Sequence, residues 1–214
     1  MAQYMIEARE VCKSFRRAQI LKSVSMNVAQ GEIAGLVGNN GSGKSVFLKC
    51  LCGLLISTSG TIVVEGKQLG KNKRFSENMG AVIEAPGFIP QISGYDNLKA
   101  LWSLSRRAPL AAVAESIRRV GLDPKDRKKV GKYSMGMRQR LGLAQAIMEN
   151  PRILLLDEPF NGLDKNGLKE MYAFIESLKA EGITAIVASH NPGDIERLCD
   201  SVYEMDDGRL ERVS

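Results

Sequence analysis

No run of about 18 apolar residues occurs in this chain, so no segment has the length of a transmembrane helix. The N-terminus, M-A-Q-Y-M-I-E-A-R-E, has no apolar signal-peptide core, and the expectation is a cytosolic protein. Histidine occurs once, at position 190, and the cysteines are only Cys12, Cys50, Cys52 and Cys199. That inventory offers no zinc set, and a disulfide framework does not suit a cytosolic chain of 214 residues. Cys50 and Cys52 stand two apart on a predicted helix and so face different ways; all four thiols read as small buried hydrophobes. Internal repeats and low-complexity tracts are missing. Neither sign of charge dominates: the formal net charge of +6 is too mild to choose among an anionic ligand, nucleic acid and an acidic membrane surface. The basic run Asp123–Lys132 has no interleaved aromatics, so it reads as a solvated loop rather than a nucleic-acid patch. With 44% hydrophobic residues, the chain can bury a good core as one domain, with room for an inserted subdomain.

The informative stretch is Ile33–Phe47, I-A-G-L-V-G-N-N-G-S-G-K-S-V-F. Ile33–Val37 is a short apolar run, as a buried strand has. Gly38–Ser45 then fits G-x-x-x-x-G-K-[ST], the phosphate-binding loop, and Val46, Leu48 and Leu51 open a helical pattern behind it. Gly38, Gly41 and Gly43 let the backbone turn tightly and approach phosphate oxygens. Successive N–H groups and the helix N-terminus then face the anion. In this reading Lys44 reaches the β- and γ-phosphates and the Ser45 hydroxyl holds Mg²⁺. A chance glycine-rich turn is the alternative; the strand before and the helix after weigh against it.

Tyr4–Val11 and Ser23–Val28 alternate as edge strands do, and Gly60–Glu65 followed by Gly66 signals a hairpin. Antiparallel strands ahead of a phosphate loop predict a mixed sheet. Phe15, in a loop between the first two strands, is placed either to stack on a nucleotide base or to serve as an ordinary core or loop aromatic. Met79–Ala85 reads as a buried strand ending at the Glu84 carboxylate, and Pro86 closes it. The period then becomes helical in Tyr95–Ser105, with Leu98, Leu101, Trp102 and Leu104 in one apolar cluster. It stays helical in Leu110–Val120, with Val113, Ile117 and Val120 in another. Residues from about 86 to 145 thus predict a helical insert in an α/β core. Ser134, in Y-S-M-G-M, is placed to cap the helix carrying Leu141, Leu143, Ala144 and Ile147; that N-terminus is either a second anion site or a plain cap.

Ile153–Leu156 runs into Asp157-Glu158-Pro159. A strand that delivers two carboxylates at its C-terminal end suits Mg-nucleotide chemistry: Asp157 for the metal shell, Glu158 to polarise a water toward the γ-phosphate. Without the phosphate loop upstream, the same two acids would read as a helix start. The turn Asn161–Asp164 precedes a helix from about Gly167 to Ala180, and Ile183–Ala188 is another buried strand, ending in Ser189-His190. A lone histidine is commonly a satisfied polar group. This one ends a core strand, where ligands bind in α/β sheets. Asp194–Cys199 predicts a short helix, and Asp206-Asp207-Gly208 a hairpin between Val202–Met205 and Arg209–Val213. The chain closes soon after, which leaves no room for a regulatory C-terminal domain.

This set of motifs, in this order and over nearly the whole chain, resembles the ATP-binding subunit of ABC transporters. The resemblance implies an α/β fold: a P-loop NTPase core with a mixed sheet, an N-terminal antiparallel β subdomain and an inserted α-helical subdomain, all in one ATPase domain over residues 1–214. It makes Phe15 the adenine-stacking aromatic, Gly38–Ser45 Walker A, Ile153–Asp157 Walker B, Glu158 the catalytic glutamate, Asn161–Asp164 the D-loop and His190 the switch histidine on the γ-phosphate. Tyr133–Met137 stand where the signature L-S-G-G-Q belongs. The implied nucleotide site is Phe15, then Gly38, Asn39, Asn40, Gly41, Ser42, Gly43, Lys44, Ser45 and Val46 around the phosphates, with Ser134 and Gly136 from the signature. Ser45, Glu84 and Asp157 are the implied Mg²⁺ ligands, and Glu158, His190 and Lys44 the catalytic set. ATP and Mg²⁺ are the implied cofactors. The implied partners are a transmembrane permease subunit on a separate chain and a second ATPase subunit, making a homodimer or pseudo-dimer; nucleic acid is not among them. The implied location is cytoplasmic, peripheral on the inner face of the cell membrane.

Two positions depart from the family pattern. Glu84 stands where the family usually has glutamine, a neutral Mg²⁺ ligand and a contact to the membrane partner. A carboxylate there adds negative charge beside Asp157, Glu158 and the triphosphate, so it should tie Mg²⁺ more tightly or raise the cost of an empty site. Met135 and Met137 replace the signature's first glycine and its glutamine, and a Met135 side chain would crowd the approach to phosphate. Both departures are similar to the subgroup of exporters that protect bacteria against bacitracin and lantibiotics. That subgroup carries E-x-P-x-F-x-x-x-x-x-x-x-N-L, here Glu84, Pro86, Phe88, Asn97 and Leu98, and Y-S-x-G-M, here Tyr133–Met137. The alternative to a transporter is a soluble energy module for cluster assembly. A repair ATPase needs a long coiled-coil insert, a translation factor usually has two cassettes in one chain, and a GTPase needs an N-K-x-D motif that this chain lacks.

Overall fold

A computed structural model describes residues 4–16, 18–70, 76–84 and 87–214. Ala85 and Pro86, part of the E-x-P-x-F match, lie outside the described residues. The strands are β1 (Tyr4–Phe15), β2 (Ala18–Ala29), β3 (Ile33–Val37), β4 (Ser59–Val64), β5 (Lys67–Gln68), β6 (Met79–Val82), β7 (Ile153–Asp157), β8 (Thr184–Ser189), β9 (Ser201–Asp206) and β10 (Arg209–Arg212). The helices are α1 (Lys44–Leu51), α2 (Gly94–Ser105), α3 (Ala111–Arg119), α4 (Met135–Ile147), α5 (Lys165–Ala180) and α6 (Pro192–Leu198). Two sheets result. One is antiparallel, in the order β2-β1-β4-β5; the other is mixed, in the order β10-β9-β3-β8-β7-β6. In the mixed sheet β9, β3, β8, β7 and β6 are parallel, and only β10 is antiparallel to its neighbour.

The central strands β3, β7 and β8 are mostly apolar and buried because both of their faces are covered. Successive residues point to opposite faces. Leu154 and Leu156 of β7 therefore join Val82, Val187 and the residues of α2–α6, whereas Ile153 and Leu155 join Phe47, Leu48 and Leu51 of α1. Helix α1 lies between the two sheets, touching β2 and β7. Its Phe47, Leu48 and Leu51 are fully buried, each contributing about 1.5–3 kcal/mol by removal from water. Helix α4 comes close against β6 because position 80 is glycine; a Cβ there would sit 2.1 Å from the Ala146 carbonyl oxygen. That contact fixes the signature helix on the strand beside the one that carries Asp157.

Four expectations change in detail. Strands β1 and β2 run longer than Tyr4–Val11 and Ser23–Val28, since register shifts along their ladder break the alternation that marks a strand in sequence. Phe15 is consequently the last residue of β1, paired with Ala18, and not a loop residue. The strand expected over Met79–Ala85 stops at Val82, and two residues further on Glu84 takes a left-handed φ of 63°, away from the extended region of a regular strand. Leu104 leaves the apolar cluster: it is 83% exposed near the end of α2, while Leu98 is buried and Leu101 and Trp102 are partly so. Among the cysteines, Cys50 and Cys52 are buried as expected, with burial pushing the Cys50 thiol up to about 11. Cys12 and Cys199 are only half-buried; Cys12 lies in β1, where Ser59 and the Ser23 amide pull its thiol below the usual range.

Candidate active site

The carboxy ends of β3, β8, β7 and β6 lie side by side, the position at which α/β sheets bind ligands. In register, Val37 pairs with Ser189, Ala188 with Asp157, and Leu156 with Val82. The next residues out are therefore the phosphate loop, His190, Glu158 and the segment leading to Glu84, all on one rim. The loop itself is shaped by close approach. A Cβ on Gly38 would meet the Met205 carbonyl oxygen at 2.2 Å, and Gly43, which caps α1, has φ 116°. Only glycine accepts both conditions.

Lys44 is 4% exposed, yet its ammonium is well supplied: Nζ donates to the carbonyls of Gly38 at 2.6 Å and Asn39 at 3.2 Å, and lies 3.6 Å from Glu158 Oε1. Glu158 Oε2 is 2.8 Å from His190 Nδ1. A proton on Nδ1 makes that a hydrogen bond and leaves Nε2 free toward the rim. Glu158 also has φ 50°, a left-handed conformation that costs a non-glycine residue energy and is characteristic of functional positions. Its amide donates to Ala188 O at 2.9 Å, and Gln139 Nε2 of α4 donates to its carbonyl at 3.4 Å, so the turn is held from two sides.

Burial pushes the Asp157 carboxyl above its usual range; a hydrogen bond from Ser45 opposes this, Glu158 adds to the rise, Lys44 opposes it, and Glu84 adds to it. Asp157 Oδ1, Glu158 Oε1 and Ser42 Oγ are buried side-chain atoms with no hydrogen-bond partner. Orphaned buried oxygens are costly unless something completes them. Hydroxyl plus carboxylate, Ser45 with Asp157, is the donor set that Mg²⁺ accepts when phosphates and water fill its other positions. The described residues contain no cluster of three His, Cys, Asp or Glu side chains that could hold a metal by themselves. A metal shared with the ligand's phosphates needs no such cluster. The residues present thus fit a magnesium nucleotide.

Phe15, 44% exposed at the end of β1, has the Lys13 ammonium 4.9 Å from its ring centre. Asn39 and Asn40 are exposed on the loop, and Val46 is half-buried in α1. Glu84 is exposed and pairs with Lys49 of α1. Ser134 caps α4, accepting from the Met137 amide at 3.2 Å. Around it lies a groove of about 610 Å³ formed by Tyr133–Met137, Arg140, Gly121–Asp123, Asp126, Gly162–Asp164 and Gly167. No phosphate-loop residue lines that groove, so the chain does not bring Ser134 and Gly136 to its own Lys44. Met135 leans over Gly162, within 2.0 Å of where a Cβ would be.

Three supports of the site have a task that the sequence does not state. Asn97, buried, clasps the segment before α2: its Oδ1 accepts from the Ile89 amide at 2.7 Å and its Nδ2 donates to the carbonyls of Ile89 and Ser93, both at 3.0 Å. This gives the Asn of the E-x-P-x-F…N-L match a structural task. Tyr172 of α5 donates to buried Asp194 of α6, and its ring packs 5.3 Å from that of Phe160. The chain segment after Glu158 is thereby tied to the helix after His190. The Tyr172–Asp194 contact leaves no local signal, since its partners come from separate elements, whereas Asn97 bonds residues only four and eight positions before it. The third, Lys49, stands four residues after Ser45 on one helix face, a spacing that could have drawn attention to it.

A sequence profile described as ABC transporter matches residues 21–161. The chain is 42% identical over 207 residues to the uncharacterized ABC transporter ATP-binding protein YybJ of Bacillus subtilis (strain 168), a match covering 97% of this chain and 95% of that protein. It is 36% identical over 206 residues to the lantibiotic transport ATP-binding protein SrtF of Streptococcus pyogenes, covering 96% of this chain and 89% of that one. Its fold is similar to that of an ATP-binding cassette solved as a dimer with ADP and phosphate in a post-hydrolysis state, with a TM-score of 0.87 at 23% identity over 98% of this chain and 99% of the other.

Proposed function

Because this chain belongs to the ABC transporter family as an ATP-binding subunit and is an ATPase, we propose that two copies close around two ATP molecules and thereby drive export through a separate membrane subunit. The observation that carries this reading is the division of the site. One rim gathers Lys44, Asp157, Glu158 and His190, while Ser134 and Gly136 line a different groove. A phosphate loop leaves the γ-phosphate open on one side. The N-terminus of α4 from a second copy supplies N–H groups and a hydroxyl there and excludes water, where such donors act most strongly.

Within the closed site, Lys44 exchanges the Gly38 and Asn39 carbonyls for phosphate oxygens. Ser45 and Asp157, with Glu84 at the neighbouring strand end, would hold Mg²⁺, which would supply positive charge against the negative charge developing on the phosphates. Glu158 orients a water and takes its proton as the water oxygen bonds to the γ-phosphorus and the bond from that phosphorus to the β–γ bridging oxygen breaks, with ADP as the leaving group. His190, fixed by its Nδ1 contact to Glu158, offers Nε2 to the γ-phosphate. Phe15 stacks on the base. Phe15→Ala is expected to raise the apparent KM for ATP about tenfold, the cost of one lost stacking platform, with little change in kcat. Steady-state phosphate release at varied ATP checks this; an unchanged KM removes Phe15 from the site.

Export, and a cargo of the peptide-antibiotic or lipid-like kind, rests on the paired departures at Glu84 and at Met135 and Met137, and on the relative named for lantibiotic transport. No helix among the described residues is long and apolar enough to cross a membrane. A separate membrane subunit then has to carry the cargo path, with this chain at the inner face of the membrane. The residues from about 86 to 145 form the helical subdomain in this reading, with α2, α3 and α4 following one another between β6 and β7. The test is recovery of the tagged chain from detergent-solubilised membranes of its own source. A polytopic membrane protein is expected to come with it. Recovery of soluble proteins alone would overturn the transporter reading in favour of a cluster-assembly ATPase and leave the nucleotide chemistry standing.

A further inference from the structure

Glu84 sits awkwardly for a residue beside a triphosphate site. Strands β6 and β7 are paired, so Glu84 emerges next to Asp157, whose carboxyl it helps to raise. Glu84, Asp157 and Glu158 put three carboxylates on one rim. Lys44 is already engaged by two carbonyls and lies nearest Glu158. The second nearby cation is Lys49, one helical turn beyond Ser45 and on the same face of α1. Its Nζ meets Glu84 Oε1 at 2.5 Å, with side-chain exposures of 25% for Lys49 and 62% for Glu84. An ion pair this open contributes little to folding. Its consequence is electrostatic and positional: it cancels one of the three negative charges and turns that carboxylate onto α1.

We infer that Lys49 is the positioning residue and counter-charge for Glu84, so that this chain keeps the position neutral by an ion pair, as the glutamine usual in the wider family does by carrying no charge. The inference deepens the nucleotide-site reading above and rests on it. The acid's extra charge is thus compensated within the chain, and an empty site is less costly than the bare substitution implies. Without Lys49 the Glu84 carboxylate is free to swing toward the phosphates, and it repels them most when no Mg²⁺ is present.

The test measures ATP binding to the whole chain in EDTA at low ionic strength, by titration calorimetry, for the wild type, K49M, E84Q, K49M/E84Q and K49R. K49M is expected to weaken metal-free binding about tenfold, as an uncompensated charge close to the triphosphate does. E84Q alone is expected to tighten it by less than about threefold, because the unpaired Lys49 ammonium stays on α1 while an unpaired carboxylate swings to the phosphates, and K49M/E84Q, with neither charge, to return to the wild-type value. K49R keeps the wild-type value. Added salt at about 0.5 M should shrink the K49M loss, which a purely structural defect would not show. If E84Q tightens binding by as much as K49M weakens it, the two charges act independently and the inference is wrong. It is equally overturned if K49M costs the same with Glu84 and with Gln at 84. A wild-type chain that binds no ATP even with Mg²⁺ would instead overturn the nucleotide-site reading itself. Should K49M not fold, K49R against E84Q decides: a tenfold loss in K49R contradicts the inference.

Discussion

Glu158→Gln is expected to lower phosphate release by about a thousandfold while ATP still binds. The amide keeps the shape of the carboxylate and can still meet His190, but it cannot take a proton from water. Two features make the loss large. Among the described residues, Glu158 is the only carboxylate in contact with both Lys44 and His190, so no neighbour there is placed to substitute. Its Oε1 is buried without a hydrogen-bond partner, which leaves that oxygen available to a water on the phosphate side. The lost charge also removes repulsion at Asp157, where Glu158 helps to raise the carboxyl. ATP affinity should therefore hold or improve, and the effect falls on kcat alone. Single-turnover phosphate release at saturating ATP and Mg²⁺ measures it. A loss of less than about tenfold would mean that another group activates the water.

Lys44→Ala is expected to weaken ATP binding and not turnover alone. The ammonium gives up two carbonyl hydrogen bonds and gains phosphate contacts, each of the charge-assisted kind worth about 1.5–3 kcal/mol. Losing them weakens ATP binding by about a hundredfold. The alanine also leaves Glu158 Oε1, 3.6 Å away in the wild type, facing the triphosphate with no cation between. Titration of ATP in the presence of Mg²⁺ reads the affinity directly. Wild-type affinity in Lys44→Ala, with turnover alone reduced, would contradict a binding role for this lysine.

The parts of the site that sequence made legible are those built from neighbours in the chain. Strand, glycine loop and helix around Gly38–Ser45 specify one another locally, as do the apolar run into Asp157-Glu158 and the Ser134 cap. His190 stood out only because it ends an apolar run. What could not be read came from contacts between distant elements. The Lys49–Glu84 pair joins α1 to the end of β6, and the Tyr172–Asp194 bond joins α5 to α6. Glu84 shows the consequence: read alone it adds a charge to the site, and only the fold supplies the cation that cancels it. The strand lengths failed for a related reason. Bulges in β1 and β2 shift the side-chain alternation wherever the partner strand demands it, so Phe15 looked like a loop residue. Leu104 followed the helical period of its cluster, but in the last turn of α2 it is Trp102 that packs on the core while Leu104 faces outward.

The central claim is that the nucleotide site is completed by a second copy, since Ser134 and Gly136 do not reach Lys44 of their own chain. Sedimentation velocity on the Glu158→Gln chain, with and without ATP, tests it most directly. The account predicts a monomer without nucleotide and a dimer with saturating ATP and Mg²⁺, returned to monomer by Ser134→Phe, which blocks the α4 N-terminus. A Glu158→Gln chain that binds ATP and stays monomeric would contradict it.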